Sequence, residues 1–235
     1  MTTTFALIHG AWHGAWCWEP MVAELERRGH RAVAVDLPCD DPAVTTIDNA
    51  KQVVEALGDA GDIGDVGDVV VVGHSLGGIV APVVAQLRPA RRVVLLAALV
   101  PRPGRSLSAV MRSEPECTTE EFDNAPRHFG EHGAVTWDPG VAAGLFFRAC
   151  DPETARWAAA RLRPQVWTTS QEITPLERWP DCEIVSMVCA DDEVLAPDWS
   201  RRIARDVLGI EPVELPGGHS PMLACPAELA DALTI

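Results

Sequence analysis

Ser75 is the residue whose neighbours best equip it to act as a nucleophile. It lies in Gly73-His74-Ser75-Leu76-Gly77, a G-x-S-x-G pentapeptide that directly follows four valines at 69–72. A serine in this setting occupies a sharp strand-to-helix turn, with its hydroxyl at the tip and glycines where side chains would collide. The expected backbone is strained. A serine hydroxyl is a weak nucleophile at neutral pH, so it needs a base within hydrogen-bond reach and a third group that fixes the base's tautomer. Of the seven histidines, only His219 sits in a glycine-rich loop after the last apolar run, within Pro216-Gly-Gly-His-Ser-Pro221. It is the candidate base. The candidate acid is Asp191 or Asp192, in Ala190-Asp-Asp-Glu-Val-Leu-Ala-Pro197. One step along an extended chain reverses side-chain direction, so only one of the two is expected to face the histidine. Acyl transfer also needs donors for the oxygen that becomes negative. The N–H of Leu76 is one, and the loop His9-Gly10-Ala11-Trp12 offers that of Ala11, with Gly10 permitting close approach of the substrate.

These groups converge only if the segments carrying them end at one edge of a sheet. Apolar runs at 5–8, 32–35, 69–72 and 92–99 alternate with helix-forming stretches at 16–28, 46–57 and 76–87. Two further runs, 183–189 and 212–215, alternate with helices expected at 198–208 and 226–233. That alternation predicts an α/β architecture of about six mostly parallel strands with helices on both faces. Each candidate group then follows the C-terminal end of a strand, the edge at which open α/β sheets bind ligands.

Between about 101 and 180 the alternation lapses. A stretch this long is not a bare loop inside a compact domain, so it is expected to be a helical cap inserted after the fourth strand, with helices near 119–129, 141–148 and 152–162. The chain is therefore expected to be one domain over 1–235, with a core of 1–100 and 181–235. Gly10, Trp12, His74, Trp137, Phe146, Phe147 and Trp157 are the candidate substrate-facing residues, although each aromatic reads at least as well as core packing. The period-three Gly-Asp run from Gly58 to Asp68 reads as a flexible acidic loop.

His9-Gly-Ala-Trp-His-Gly-Ala-Trp-Cys-Trp18, Gly73-His-Ser-Leu-Gly-Gly78, Cys150-Asp-Pro-Glu153, Val188-Cys-Ala-Asp-Asp192 and Gly218-His-Ser-Pro-Met-Leu223 together resemble the plant methylesterase and hydroxynitrile lyase group of α/β-hydrolases, which also has bacterial relatives. The resemblance spans nearly the whole chain. It implies the α/β-hydrolase fold, with the nucleophile at Ser75, the base at His219, the acid at Asp192, and oxyanion amides at Ala11 and Leu76. One extra residue before Pro197, relative to that pattern, keeps Asp191 as the alternative acid. In the lyase branch a threonine stands where this chain has Gly10, and a lysine follows the catalytic histidine where it has Ser220. Those groups hold the cyanohydrin hydroxyl and the departing cyanide, so their replacement favours ester hydrolysis.

The expectation is a cofactor-free serine carboxylesterase acting on a small aromatic or otherwise apolar ester through an acyl-enzyme. Two other functions fit the same residues: a hydroxynitrile-lyase-like or other carbon–carbon lyase with His219 as base, and a non-catalytic ligand-binding module on the same fold. A formal charge of -15, from 34 acidic and 19 basic side chains, repels nucleic acid and anionic membranes. No apolar run reaches membrane-spanning length and the N-terminus lacks a basic region, so a soluble, cytoplasmic protein is expected. Seven cysteines without a C-x-x-C pair suggest neither a disulfide framework nor a zinc site. His128 and His132 have the spacing of two ligands on a helix face, but no H-E-x-x-H pattern accompanies them, so no metal is expected.

Overall fold

In the computed structural model, residues 2–58 and 69–234 are described; the Gly-Asp run beyond Gly58 lies outside them. The strands in chain order are β1 (Thr4–Ile8), β2 (Arg31–Val35), β3 (Val69–His74), β4 (Arg92–Leu96), β5 (Arg127–Phe129), β6 (Val135–Trp137), β7 (Glu183–Cys189) and β8 (Val213–Leu215). Six of them form one sheet in the order β2-β1-β3-β4-β7-β8. Every pairing in it is parallel, so the expected mostly parallel sheet is wholly parallel among the described residues. The valine run explains the position of β3, since all six of its residues are buried and only a central strand is covered on both faces.

Helices cover the two faces. Glu19–Arg27 packs with Pro226–Leu233, and Thr46–Leu57 packs with Ala81–Leu87. The helix Thr46–Leu57 starts at a capping box, in which Thr45 Oγ1 accepts the Asp48 N–H and Asp48 accepts the Thr45 N–H; it buries Ala50, Val53 and Leu57. Two expected helices are each split. The 16–28 segment is a 3₁₀ turn, Ala15–Trp18, followed by Glu19–Arg27; the 76–87 segment is a 3₁₀ turn, Ser75–Ile79, followed by Ala81–Leu87. Pro20 and Pro82 account for the breaks, because proline lacks an N–H and suits the first turn of a new helix. The fourth strand ends at Leu96 rather than Leu99, where Ala97 turns to a φ of 42°.

The cap lies between β4 and β7. Its helices include Leu107–Ser113, Glu120–Asn124, Pro139–Phe146 and Pro152–Ala159. The expected 119–129 helix stops at Asn124, and Arg127–Phe129 instead pairs antiparallel with Val135–Trp137. Pro126 is the cause: it forces Ala125 out of the helical region, to a ψ of 134°. Asp138 and Asp151 cap the next two helices, each accepting two backbone N–H groups of the first turn. An aromatic cluster seats the cap on the sheet, with the Trp12 ring 5.3 Å from Trp137, 5.4 Å from Phe146 and 5.4 Å from Trp167.

Candidate active site

The register that aligns Ile8 with Gly73 ends β1 and β3 at the same height, so the loop after β1 meets the turn after β3. That turn holds Ser75 at a φ of 51°, a left-handed conformation that a non-glycine residue adopts only when its surroundings impose it. The surroundings are backbone. A Cβ at Gly77 would sit 2.7 Å from the carbonyl oxygens of Ile8 and His9, and one at Gly73 would sit 2.6 Å from the Gly77 carbonyl. Neither position admits a side chain, which explains the two glycines of the pentapeptide. Leu76 falls in the first turn of the 3₁₀ segment, where amides lack an intrahelical acceptor.

The loops after β7 and β8 bring Asp192 and His219 together. His219 Nδ1 lies 2.8 Å from Asp192 Oδ2 and 3.0 Å from Oδ1. Both side chains are almost fully buried. Asp192 Oδ1 also accepts the N–H groups of Val194 at 2.8 Å and Leu195 at 3.0 Å, which fixes the carboxylate's orientation. Asp191 is exposed and turned away, its amide donating to the Gly217 carbonyl. With Nδ1–H directed at a carboxylate, Nε2 is left as the basic atom of the His219 ring.

His74 links this pair to the elbow. It is fully buried, its Nε2–H donates to the His219 carbonyl at 2.8 Å, and the two rings are 4.8 Å apart. Among the described residues the Ser75 hydroxyl makes no hydrogen bond to His219. Burial, and then the neighbouring His219 and His13, hold the His74 pKa well below the usual imidazole range. Two more buried histidines brace the loop after β1. His9 Nδ1–H donates to the Gly10 carbonyl and His13 Nδ1–H to the Ala11 carbonyl, each at 2.8 Å. Burial pushes His9 down to about 4 and His13 to about 3, so both are neutral at working pH.

A cavity of about 450 Å³ opens in front of the elbow. Ala11, Trp12, Ser75 and Leu76 form one wall, and Met111, Phe122, Val135, Trp167, Val194 and Leu195 form much of the other. Arg112, Asp123, Arg127 and Phe129 also line it. Arg127 lies over the rings of Phe122 at 4.8 Å and Trp137 at 4.7 Å, and donates to the carbonyls that end the helix Glu120–Asn124.

The structure separates the candidates from the sequence into two groups. Ala11, Trp12, Ser75 and Leu76 share the cavity wall. Trp137, Phe146 and Phe147 do not line it; they are buried behind Trp12 and His13 in the aromatic cluster. Trp157 stands farther off, packed on Trp16 and under Arg161. Gly10 and His74 lie beneath the elbow, where a Cβ on Gly10 would come within 2.8 Å of Ser75 Cβ and 3.0 Å of His74 Nδ1. His128 is on β5 and His132 in a turn with a φ of 54°, so they share no helix face. No group of three His, Cys, Asp or Glu side chains that could hold a metal occurs among the described residues. Phe122, Trp167 and Leu195 line the cavity without having been singled out. Leu195 had a signal, three positions after the candidate acid in a loop at the strand edge, whereas Phe122 and Trp167 had none beyond being aromatic.

A serine elbow at the C-terminal edge of a parallel α/β sheet, under a cap inserted after the fourth strand, defines an α/β-hydrolase. A family model described as the alpha/beta hydrolase family matches residues 5–232, and the chain belongs to that family. It is a hydrolase. Among similar proteins, Methylesterase 7 of Arabidopsis thaliana is 27% identical over 251 residues, spanning 97% of this chain and 94% of the relative. Salicylic acid-binding protein 2 of Nicotiana tabacum is 27% identical over 254 residues, spanning 97% and 95%. Alpha-hydroxynitrile lyase of Arabidopsis thaliana is 27% identical over 249 residues, spanning 98% and 95%. The crystal structure of polyneuridine aldehyde esterase shares the fold, with a TM-score of 0.81 and 21% identity over 100% of this chain and 98% of that one. No helix among the described residues is long and apolar enough to cross a membrane.

Proposed function

We propose that the protein is a cofactor-free serine carboxylesterase acting on a small aromatic or otherwise apolar ester. The observation that carries the reading is the shared cavity: Ser75, Ala11 and Leu76 line one largely aromatic and aliphatic space, as do Val194 and Leu195, whose amides hold the Asp192 of the buried Asp192–His219 pair. Ser75 Oγ attacks the ester carbonyl while His219 Nε2 takes its proton. Asp192 holds the ring's tautomer and stabilises the imidazolium. The N–H groups of Ala11 and Leu76 receive the tetrahedral oxyanion. His219 then protonates the departing alcohol, and a water molecule activated by the same imidazole releases the acid and restores Ser75. In ligand-free sites the bond from nucleophile to base is often long and tightens with substrate in place, which accommodates the present separation of Ser75 from His219. The cap, about 101–180, supplies the far wall of a single-domain enzyme.

The relatives named as esterases support this chemistry and the relative named as a lyase raises the competing one. Two features weigh against the lyase. Position 10 has no room for a threonine Cβ, and Ser220, where a lysine would be needed, is 2% exposed with its hydroxyl unpartnered among the described residues. Methyl and aryl esters of aromatic acids should release acid with the native protein, and Ser75→Ala should lower turnover by about 10⁴. Undiminished ester hydrolysis in Ser75→Ala, or cyanide release from a cyanohydrin faster than hydrolysis of every ester, would overturn the assignment.

A further inference from the structure

We infer that two cap residues, Arg163 and Gln165, are positioning residues that aim the Ala11 amide at the oxyanion. The inference rests on the esterase reading above, which makes Ala11 a donor, and it assigns a role to residues about 150 positions away that touch no reacting atom.

The oxyanion loop is held at three consecutive peptide planes. A trans peptide is planar, so its C=O and N–H point in opposite directions and holding one aims the other. In the Gly10–Ala11 unit, the carbonyl accepts His9 Nδ1–H at 2.8 Å and the His13 N–H at 3.3 Å. The Ala11 N–H therefore points away from those donors and, among the described residues, has no acceptor. In the Ala11–Trp12 unit, the carbonyl accepts His13 Nδ1–H at 2.8 Å, while the Trp12 N–H donates to Gln165 Oε1 at 3.2 Å. In the Trp12–His13 unit, the Trp12 carbonyl accepts the Arg163 N–H at 2.8 Å. The loop's own histidines hold the first plane and the cap holds the next two; because the N–H of the third plane is that of His13, which donates to the Gly10 carbonyl, the cap's grip is passed back to the plane that carries the Ala11 N–H.

That outside grip is needed because Trp12 has a φ of 63°. A tryptophan in the left-handed region persists only when its surroundings over-determine it. Arg163 adds Nε and Nη2 to the His13 carbonyl at 3.1 and 2.7 Å, and Nη2 to the Leu37 carbonyl at 2.9 Å. Gln165 is 5% exposed, and its Nε2 donates to the Val166 carbonyl at 2.7 Å, which leaves Oε1 facing Trp12. Its backbone exchanges both hydrogen bonds with Val135, whose carbonyl also accepts Trp12 Nε1–H at 2.9 Å. The cap segment 163–166 is thereby fastened to the oxyanion loop on one side and to β6 on the other.

A donor aimed at charge that exists only in the transition state affects turnover rather than substrate binding. The test uses the full chain and four variants: Gln165→Met, nearly isosteric but without the acceptor, Arg163→Met, Arg163→Lys, and Ser75→Ala. For each, kcat and KM are measured on one aryl ester, with the affinities of an arylboronic acid, which forms a tetrahedral adduct on serine, and of the planar product acid. Gln165→Met is expected to lower kcat about 10–100-fold, with KM within about threefold, on the scale of weakening one oxyanion donor. Boronate affinity should fall in parallel and product affinity should not. Arg163→Lys, which retains one cationic donor for the His13 carbonyl, should recover part of the loss seen in Arg163→Met. Wild-type kcat and boronate affinity in Gln165→Met and Arg163→Met, beside an inactive Ser75→Ala, would overturn this inference alone. Equal losses of boronate and product affinity would do the same, by reducing both residues to structural parts. Retained hydrolysis in Ser75→Ala would instead overturn the reading beneath it.

Discussion

The sheet edge and the cap divide the site between them in different ways. At the edge, the nucleophile and the acid are placed by backbone: Ser75 by carbonyls that leave no room at Gly73 and Gly77, and Asp192 by the amides of Val194 and Leu195. In the cap, the groups facing the cavity are side chains on short elements, such as Phe122 on a five-residue helix and Phe129 on a three-residue strand, where Phe129 is 74% exposed. Backbone-defined positions tolerate almost no change of residue, whereas side-chain walls can be exchanged for others of similar bulk. The groups that make and break bonds are thus expected in the first region and the groups that select the substrate in the second.

The largest effect should come from Asp192→Asn. It keeps the shape but gives His219 the wrong tautomer, and turnover should fall about 10⁴-fold with little change in KM. A loss under tenfold would put the acid elsewhere, and Asp191→Asn is the control expected to be near neutral. Next comes acid stability. His9 and His13 titrate at about 4 and about 3 when folded but near 6.5 when unfolded, so between those values the unfolded chain binds more protons. Stability is full above pH 6.5, falls as pH drops through that window, and levels off below the folded values. Between pH 7.5 and 4.5 each imidazole should contribute on the order of 2–3 kcal/mol of that loss. Urea midpoints at pH 7.5 and 4.5 measure it. His13→Gln, which can still donate to the Ala11 carbonyl, should show a shallower fall, and an unchanged slope would remove His13 from the account. Gly10→Thr should follow, since its Cβ would sit 2.8 Å from that of Ser75. Displacing a nucleophile by a fraction of an ångström to an ångström costs up to about 10²-fold. Wild-type turnover in that variant would show that the elbow yields more easily than its geometry implies.

The same division decides what could be read from the chain alone. The unbroken valines, the G-x-S-x-G pentapeptide and the glycine-rich loop around His219 each combine residue type with spacing, and the strands they mark are where the sheet has them. The choice between Asp191 and Asp192 could not be made from residue type, because it depends on which carboxylate meets the amides two and three residues on. In the cap, the hairpin β5–β6 was missed because three-residue strands carry no period, although Pro126 was a visible stop. Trp137, Phe146 and Phe147 are as aromatic as Phe122 and Trp167, and nothing local tells which ring faces the cavity and which packs behind Trp12. Arg163 and Gln165 left no mark at all, since their partners lie about 150 residues away in sequence.

The smallest expected effect is also the one that tests whether the cap is divided as the structure has it. Phe122 and Phe146 are both buried, at 8% and 1% exposure, and their rings are 6.3 Å apart, but only Phe122 lines the cavity. Phe122→Leu removes ring surface from the substrate's side, so kcat/KM for an aryl ester should fall by about tenfold or less, mostly through KM, while a short alkyl ester is little affected. Phe146→Leu removes similar surface from the packing between Trp12 and Trp137, so it should cost about 1–2 kcal/mol of stability and leave KM within about twofold. Kinetics on the two esters and thermal unfolding of both variants separate these outcomes. If Phe146→Leu shifted KM and Phe122→Leu shifted only the melting temperature, the wall and the core of the cap would have to be exchanged, and the aromatic residues first singled out in the sequence would be the ones that meet the substrate.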